Sequence, residues 1–324
     1  SEQDSDKESD KEEKEEAEKE VEEPYHEKSY DSLTMRQKKE YDYVESLKFK
    51  VFNPLLQTKE CKNFSMTITS GRRTGKSVLV KHLIYTLKGN YDEVFVFSKT
   101  AHMQKDLFNF IPEENIHRGL DEEAMKIIWQ EQEELVMGLL DQGVKLENTP
   151  RKLILFDDII GDVSIKKSKT LIDFYICGRH INFCVLLLTQ KFNGVAPVIR
   201  DNTDFSVAFM LKSELQREAF IQSYLSTKNK SMGQFILNKI TGKPFQCIIT
   251  HNTITTTNPE DYVYSFVAKP KLPKFKIQSK KEVPNEYDDN SYYEKGMDEA
   301  VIKQGKKNVI DGMINSRNKN KRLL

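Results

Sequence analysis

The sequence predicts an α/β fold whose central sheet is mostly parallel and covered by helices on both faces. Three observations carry that prediction. Short apolar segments of strand length alternate with segments of helical period through residues 64–252. Two of them, "LILF" and "CVLLL", are apolar without interruption, as strands buried on both faces are. The first strand also passes through a loop ending in Gly75-Lys76-Ser77 straight into a helical pattern, the order that a phosphate-binding loop requires.

Taken in order, apolar residues return at helical spacing from about Tyr41 (Tyr43, Val44, Leu47), and "FNPLL" reads as an extended entry with a proline stop. Strands are expected over 64–70, 93–99, 151–160, 182–190, 204–211 and 245–252. Helices are expected over 76–88, with an apolar stripe at Val78, Leu79, Leu83, Ile84 and Leu87, and over 121–143, with Trp129 on the apolar side. Further helices are expected over 167–180 and 213–225. The longest apolar run in the expected core, Phe183 to Leu188, is far shorter than a bilayer span.

Charge divides the chain differently. The total is balanced, with 50 Lys and Arg against 50 Asp and Glu. Residues 1–23, however, hold 13 acids and four lysines, a net of −9, so the rest is +9. A basic body suggests a polyanionic partner. Residues 269–324 carry 14 basic and eight acidic side chains. The expected organisation is an acidic disordered tail over 1–40, an α/β domain over 41–257 and a basic, partly disordered tail over 258–324 with a short helix near 292–302. The acidic start lacks the character of a secretory signal. Cys61, Cys177, Cys184 and Cys247 form no C-x-x-C pair, which signals neither a zinc site nor a disulfide framework and fits a reducing compartment.

The candidate chemistry sits at strand ends. In "SGRRTGKSV" the nucleotide-contacting residues are Ser70, Gly71, Arg72, Arg73, Thr74, Gly75, Lys76, Ser77 and Val78. Backbone N–H groups and a helix N-terminus converge on phosphate in such loops. Gly75 permits the tight turn, Lys76 reaches the β- and γ-phosphates, and Ser77 offers a hydroxyl to Mg²⁺. Ser70 stands where the usual pattern has its first glycine. It is acceptable there if its backbone is ordinary, with Gly71 absorbing the unusual geometry.

"LILFDD" brings Asp157 and Asp158 to the carboxyl edge of a buried strand, where ligands sit in open α/β sheets. Asp157 would hold Mg²⁺. Asp158 stands where a glutamate often polarises the attacking water, and its shorter side chain means either a tighter geometry or slow hydrolysis. "NFCVLLLTQ" delivers Gln190 to the same edge, suited to sensing a γ-phosphate or orienting water. Arg179, Arg200 and Arg217 are candidates for an arginine supplied to a neighbouring subunit's site.

The ordered set "SGRRTGKS", "LILFDD", "GRHINFCVLLLTQ" and "VIRDNTDFSVAF" resembles the FtsK–HerA group of DNA-pumping ATPases. Within that group it is most similar to the genome-packaging ATPases of eukaryotic double-stranded DNA viruses, including large nucleocytoplasmic viruses and virophages. "YDEVFVFSKT" looks like that family's second strand. The resemblance covers roughly residues 50–255 and departs from the family pattern at Ser70 and Asp158.

It implies a RecA-like P-loop core with Walker A and Walker B elements, Mg²⁺-dependent ATP hydrolysis, and a homo-oligomeric ring of five or six subunits. It also implies movement of double-stranded DNA into a capsid at the viral assembly site in the host cytoplasm or nucleus, with capsid proteins as further partners and a place in the virion. By position, Lys76 and Ser77 are implied to bind phosphate and metal, Asp157 metal, Asp158 to activate water and Gln190 to act as sensor. Lys303, Lys306, Lys307, Lys319 and Lys321 are candidates for contact with DNA or capsid. The alternatives are a helicase or conjugative DNA pump on the same core, a P-loop nucleotide or small-molecule kinase, and a regulatory binder with an inactive site.

Overall fold

The computed structural model describes residues 30–277, apart from 61, 102, 104–106, 160–167 and 228. The expectations placed on residues 1–29 and 278–324, including the helix over 292–302, lie outside the described residues. Among the described residues, nine strands form one sheet. They are β1 (Lys50–Val51), β2 (Ser65–Thr69), β3 (Glu93–Ser98), β4 (Ile116–Arg118), β5 (Lys152–Asp157), β6 (Phe183–Thr189), β7 (Phe205–Ala208), β8 (Gln246–His251) and β9 (Val263–Val267). The helices are α1 (Met35–Ser46), α2 (Pro54–Glu60), α3 (Lys76–Leu87), α4 (Glu122–Asp141), α5 (Lys169–Ile176), α6 (Pro197–Asp201), α7 (Glu214–Tyr224), α8 (Lys230–Thr241) and α9 (Pro259–Tyr262).

The strand order is β1-β9-β8-β7-β2-β6-β5-β3-β4. Pairings from β7 through β2, β6, β5 and β3 to β4 are parallel, while β7–β8 and β8–β9 are antiparallel. The chain leaves β2, crosses through α3, and returns three strand positions away at β3; β6 and β5 later fill the two places between. The carboxyl ends of β2, β6, β5 and β3 therefore share one edge.

The period-2 alternation of each strand sorts side chains onto two faces. On one face Met66, Ile68, Val94, Val96, Leu153, Leu155, Leu186 and Leu188 pack with Leu79, Leu83 and Ile84 of α3. On the other, Phe95, Phe97, Ile154, Phe156, Val185 and Leu187 pack with Met125 and Ile128 of α4 and Leu171 and Phe174 of α5. Farther along that face, Ala208, Ile248 and Val263 pack with residues of α1, α7 and α8. Trp129 lies against Phe174 and Phe183, on the side its spacing predicts.

Several features differ from the sequence expectation, among them short elements such as β4 and α6 that it did not include. Pro54 opens a helix: proline suits the first helical position because its missing N–H would have no intrahelical partner there. Asn53 caps that helix, its Oδ1 accepting from Leu55 N at 3.1 Å and its carbonyl from Gln57 N at 3.0 Å. Helix α1 starts at Met35, ahead of residue 41, on a Thr34–Gln37 capping box. Beyond residue 257, β9 completes the sheet and Ile277 is buried, its N–H donating to Phe110 O at 2.7 Å. The segment 230–241, given no element from the sequence, is helix α8.

Gly233 lets α8 approach α7. A Cβ at that position would lie 2.4 Å from Ile221 Cγ2 and 3.1 Å from Thr227 Oγ1. Ile221 is buried and β-branched, so it cannot swing aside cheaply. Gly233→Ala is expected to destabilise the fold by about 1–3 kcal/mol, read as a lower thermal melting temperature. An unchanged melt would mean that the two helices have room to part.

Candidate nucleotide-binding site

The loop after β2 is tied down from several directions. Ser70 is fully buried, and its N–H donates to Thr189 O on β6 at 3.0 Å. Its hydroxyl lies 2.5 Å from Thr74 Oγ1, which donates to Gly71 O at 3.0 Å. The left-handed residues of the loop are Arg73 (φ 60°) and Gly75 (φ 119°), while Ser70 and Gly71 have no such angle. This corrects the expectation that Gly71 absorbs the unusual geometry. Because the first position is ordinary backbone, serine fits it, and its side chain staples the loop across to Thr74.

Gly75 caps α3 and cannot be replaced without conflict. A Cβ there would meet Phe245 Cδ1 at 3.0 Å and Phe209 Cε1 at 3.1 Å, on a backbone that disfavours any L side chain. Gly71, Arg72 and Arg73 are exposed, Thr74 to Val78 are half-buried, and Val78 packs against the core.

Lys76 folds back over the loop, with Nζ donating to Ser70 O at 2.7 Å and Gly71 O at 3.1 Å. Burial holds its ammonium below the usual lysine range; Asp157 and Asp158 pull it up again and Arg72 pushes it down. The coupling places Lys76 in the field of both carboxylates at the end of β5.

Those two carboxylates differ. Asp157 is buried and accepts from Ser98 Oγ at 3.4 Å, across the β3–β5 register that pairs the two residues. Burial, with the neighbouring Asp158 charge, raises its carboxyl to about 6, against the opposing pull of Ser98 and Lys76. Asp158 is exposed and leaves the strand with φ 49°, a region that Asp enters more readily than most residues. Gln190, one residue past β6, donates from Nε2 to Asp158 Oδ1 at 2.8 Å. Lys76, Asp157, Asp158 and Gln190 thus meet on one edge, joined by hydrogen bonds and charge.

The three arginines do not join them. Arg179 is exposed in the turn Gly178–Ile181 that precedes β6, at the opposite edge of the sheet. The Arg200 guanidinium lies over the Phe192 ring, 5.1 Å from its centroid. Arg217, on the helix after β7, donates from Nη1 to the carbonyls of Leu211 (3.1 Å) and Lys212 (3.4 Å).

Sequence reasoning missed Ser98, Phe209 and Phe245. The register of β3 against β5 would have exposed Ser98. Nothing local marks Phe245, which comes to the loop from about 170 residues away in the chain.

The residues fit a nucleotide with Mg²⁺. Asp157 is a buried carboxylate with one long hydroxyl contact, an environment that a cation would relieve. No cluster of three or more His, Cys, Asp or Glu able to hold a metal occurs among the described residues. Mg²⁺ needs none, since one or two carboxylates plus substrate phosphates suffice. Also among the described residues, no helix is long and apolar enough to cross a membrane.

The chain is similar to several known proteins. The DNA packaging protein OPG160 of Monkeypox virus is 27% identical over 146 residues, 45% of this chain and 47% of that protein. The chain thus spans about half the length of the poxvirus relatives it matches. The uncharacterized protein L437 of Acanthamoeba polyphaga mimivirus is 24% identical over 265 residues, covering 78% of this chain and 91% of that one. Among solved structures, the genome packaging NTPase B204 of Sulfolobus turreted icosahedral virus 2 in complex with AMPPCP is 15% identical with a TM-score of 0.43. It covers 68% of this chain and 100% of that one. The model of the poxvirus A32 protein family matches residues 54–270, two thirds of the chain, and the chain belongs to that family.

Proposed function

We propose that the protein is an ATPase that drives double-stranded DNA into a viral capsid. The observation that carries the reading is the Gln190–Asp158 hydrogen bond beside Asp157 and Lys76, on the edge where the phosphate loop opens. That group suits phosphoryl transfer to water. It holds a cation for the phosphates, a carboxylate to polarise water, and an amide that fixes that carboxylate.

In this reading Ser70 to Val78 hold the triphosphate, and Lys76 exchanges its carbonyl partners for phosphate oxygens. Ser77 and Asp157 hold Mg²⁺, which supplies charge neutralisation at the phosphates when bound. Asp158 accepts a proton from the attacking water, and Gln190 keeps its carboxylate oriented. The second oxygen of Asp158 remains available for that task.

Family membership and the packaging role of the poxvirus relatives support DNA as the cargo. Contacts with its phosphate backbone are independent of sequence, as a motor on arbitrary DNA needs. The protein then works in infected cells where virions assemble, as a ring of five or six copies contacting the capsid. Arg179 lies at the opposite sheet edge from its own chain's loop, which leaves a neighbouring subunit's site as its place of action; Arg200 and Arg217 are the other candidates for that role.

The test is ATP hydrolysis by the full chain with and without duplex DNA. Hydrolysis is expected to rise with duplex length and DNA concentration, and to need Mg²⁺. Turnover indifferent to DNA would instead favour a small-molecule kinase or a partner-activated ATPase.

A further inference from the structure

We infer that Phe245 is the platform on which the base of the bound nucleotide stacks. The inference rests on the phosphate-site reading above and adds the part of the ligand that reading leaves unplaced.

The geometry is directional. Strand β2, which carries the phosphate loop, has β6 on one side and β7 on the other. Asp158 and Gln190 lie on the β6 side, so the terminal phosphate belongs there. A nucleotide laid across the loop then directs its base toward β7 and β8. Two aromatic rings stand on that side against Gly75, those of Phe209 and Phe245.

They differ in what they offer. Phe209 is buried to 1% exposure and belongs to the core. Phe245 is half-buried and packs at the margin of that core, beside the loop. Because β8 runs antiparallel to β7, the start of β8 falls on the same edge as the carboxyl ends of the parallel strands. Phe245 stands just ahead of β8, next to the phosphate loop and not at the far edge.

Its backbone adds a second observation. Phe245 has φ 61°, a conformation uncommon for a bulky side chain. The position is fixed on both sides: its carbonyl accepts from Ala268 N at 2.9 Å, and Gln246 N donates to Lys243 O at 3.2 Å. Glycine or asparagine would suit that φ with less strain. An aromatic ring held there against its preference calls for a use, and strain of this kind gathers at ligand sites. An aromatic ring at the margin of the core beside a phosphate loop is the kind of group on which any purine can stack.

The experiment compares two ligands by calorimetric titration of the full chain, Mg-ATP and Mg-tripolyphosphate; the second has the phosphates and no base. Phe245→Ala keeps the Cβ and the backbone strain but removes the ring. It is expected to weaken Mg-ATP binding about 10-fold or more and to leave Mg-tripolyphosphate unchanged. Phe245→Tyr is expected to bind both as the wild type does. Phe245→Leu retains apolar bulk against Gly75 without a π-face, is expected to behave like the alanine variant, and carries the test should that variant fold poorly.

Equal Mg-ATP affinity in wild type and Phe245→Leu would overturn the inference. So would a parallel loss of both ligands, which would make Phe245 a support for the loop. A wild type that binds neither ligand would remove the phosphate-site reading itself, and Phe245 with it.

Discussion

Replacing Lys76 with alanine is expected to lower ATP hydrolysis at least about 10²–10³-fold, the usual loss when one charge-stabilising group is removed from a transition state. The fold should be affected far less. The ammonium is half-buried and spends its hydrogen bonds on two loop carbonyls, Ser70 O and Gly71 O. Gly71 is exposed, so water can take over that bond. Losing the charged bond to Ser70 costs about 1.5–3 kcal/mol, offset in part because burial already disfavours the ammonium. Turnover should therefore collapse while the melting temperature moves modestly. Lys76→Arg keeps the charge but spreads it over a planar fork, where the loop now holds a compact head between two carbonyls. It is expected to restore little activity. Wild-type turnover in the alanine variant would remove Lys76 from the chemistry, and a large drop in melting temperature would make its role structural.

The parts of the site that were legible in the sequence are those written in consecutive residues. Strand β2, its loop and α3 form one uninterrupted run, and Asp157 and Asp158 follow four apolar residues that fix where their strand ends. Gln190 was legible for the same reason. What the sequence did not show is which strands lie side by side. That β6 falls between β2 and β5, so that Gln190 reaches Asp158, is a property of the sheet order.

Local conformation was legible only in part. Gly71 and Gly75 are both glycines, yet only Gly75 uses the freedom that glycine offers; Arg73, a residue with no such signature, takes the other left-handed position. The loop's hydrogen bonds, above all that of Ser70 to Thr74, decide which residue turns. Pro54 misled for a different reason. A proline ends one element and begins another equally well, and the Asn53 cap that settles the matter is a weak signal alone. Strand β9 was hidden by the lysines that follow it, since composition averaged over a window outweighed five residues of strand pattern.

Asp157→Asn is expected to raise the stability of the protein in the absence of Mg²⁺ while abolishing Mg²⁺-dependent hydrolysis. Burial raises the Asp157 carboxyl to about 6 in the folded state, against ~4 when unfolded. The folded protein therefore prefers the neutral acid, and ionising it costs stability. Below about pH 4 the group is protonated in both states and the cost is absent. It grows between about pH 4 and 6, and is complete above the folded value. Two units of difference correspond to about 3 kcal/mol. The amide is neutral at every pH, nearly isosteric, and still able to accept from Ser98. In EDTA at pH 8 the variant should melt several degrees above the wild type, and the gap should close near pH 4. A variant that melts lower at pH 8, or gains equally at both pH values, would mean that the carboxylate is not held at a cost. If the gap does open with pH, then the charge that destabilises the empty protein is kept because something must be bound there. A divalent cation with its phosphates would be the group that recovers the cost, so that stability and nucleotide loading become linked through one side chain.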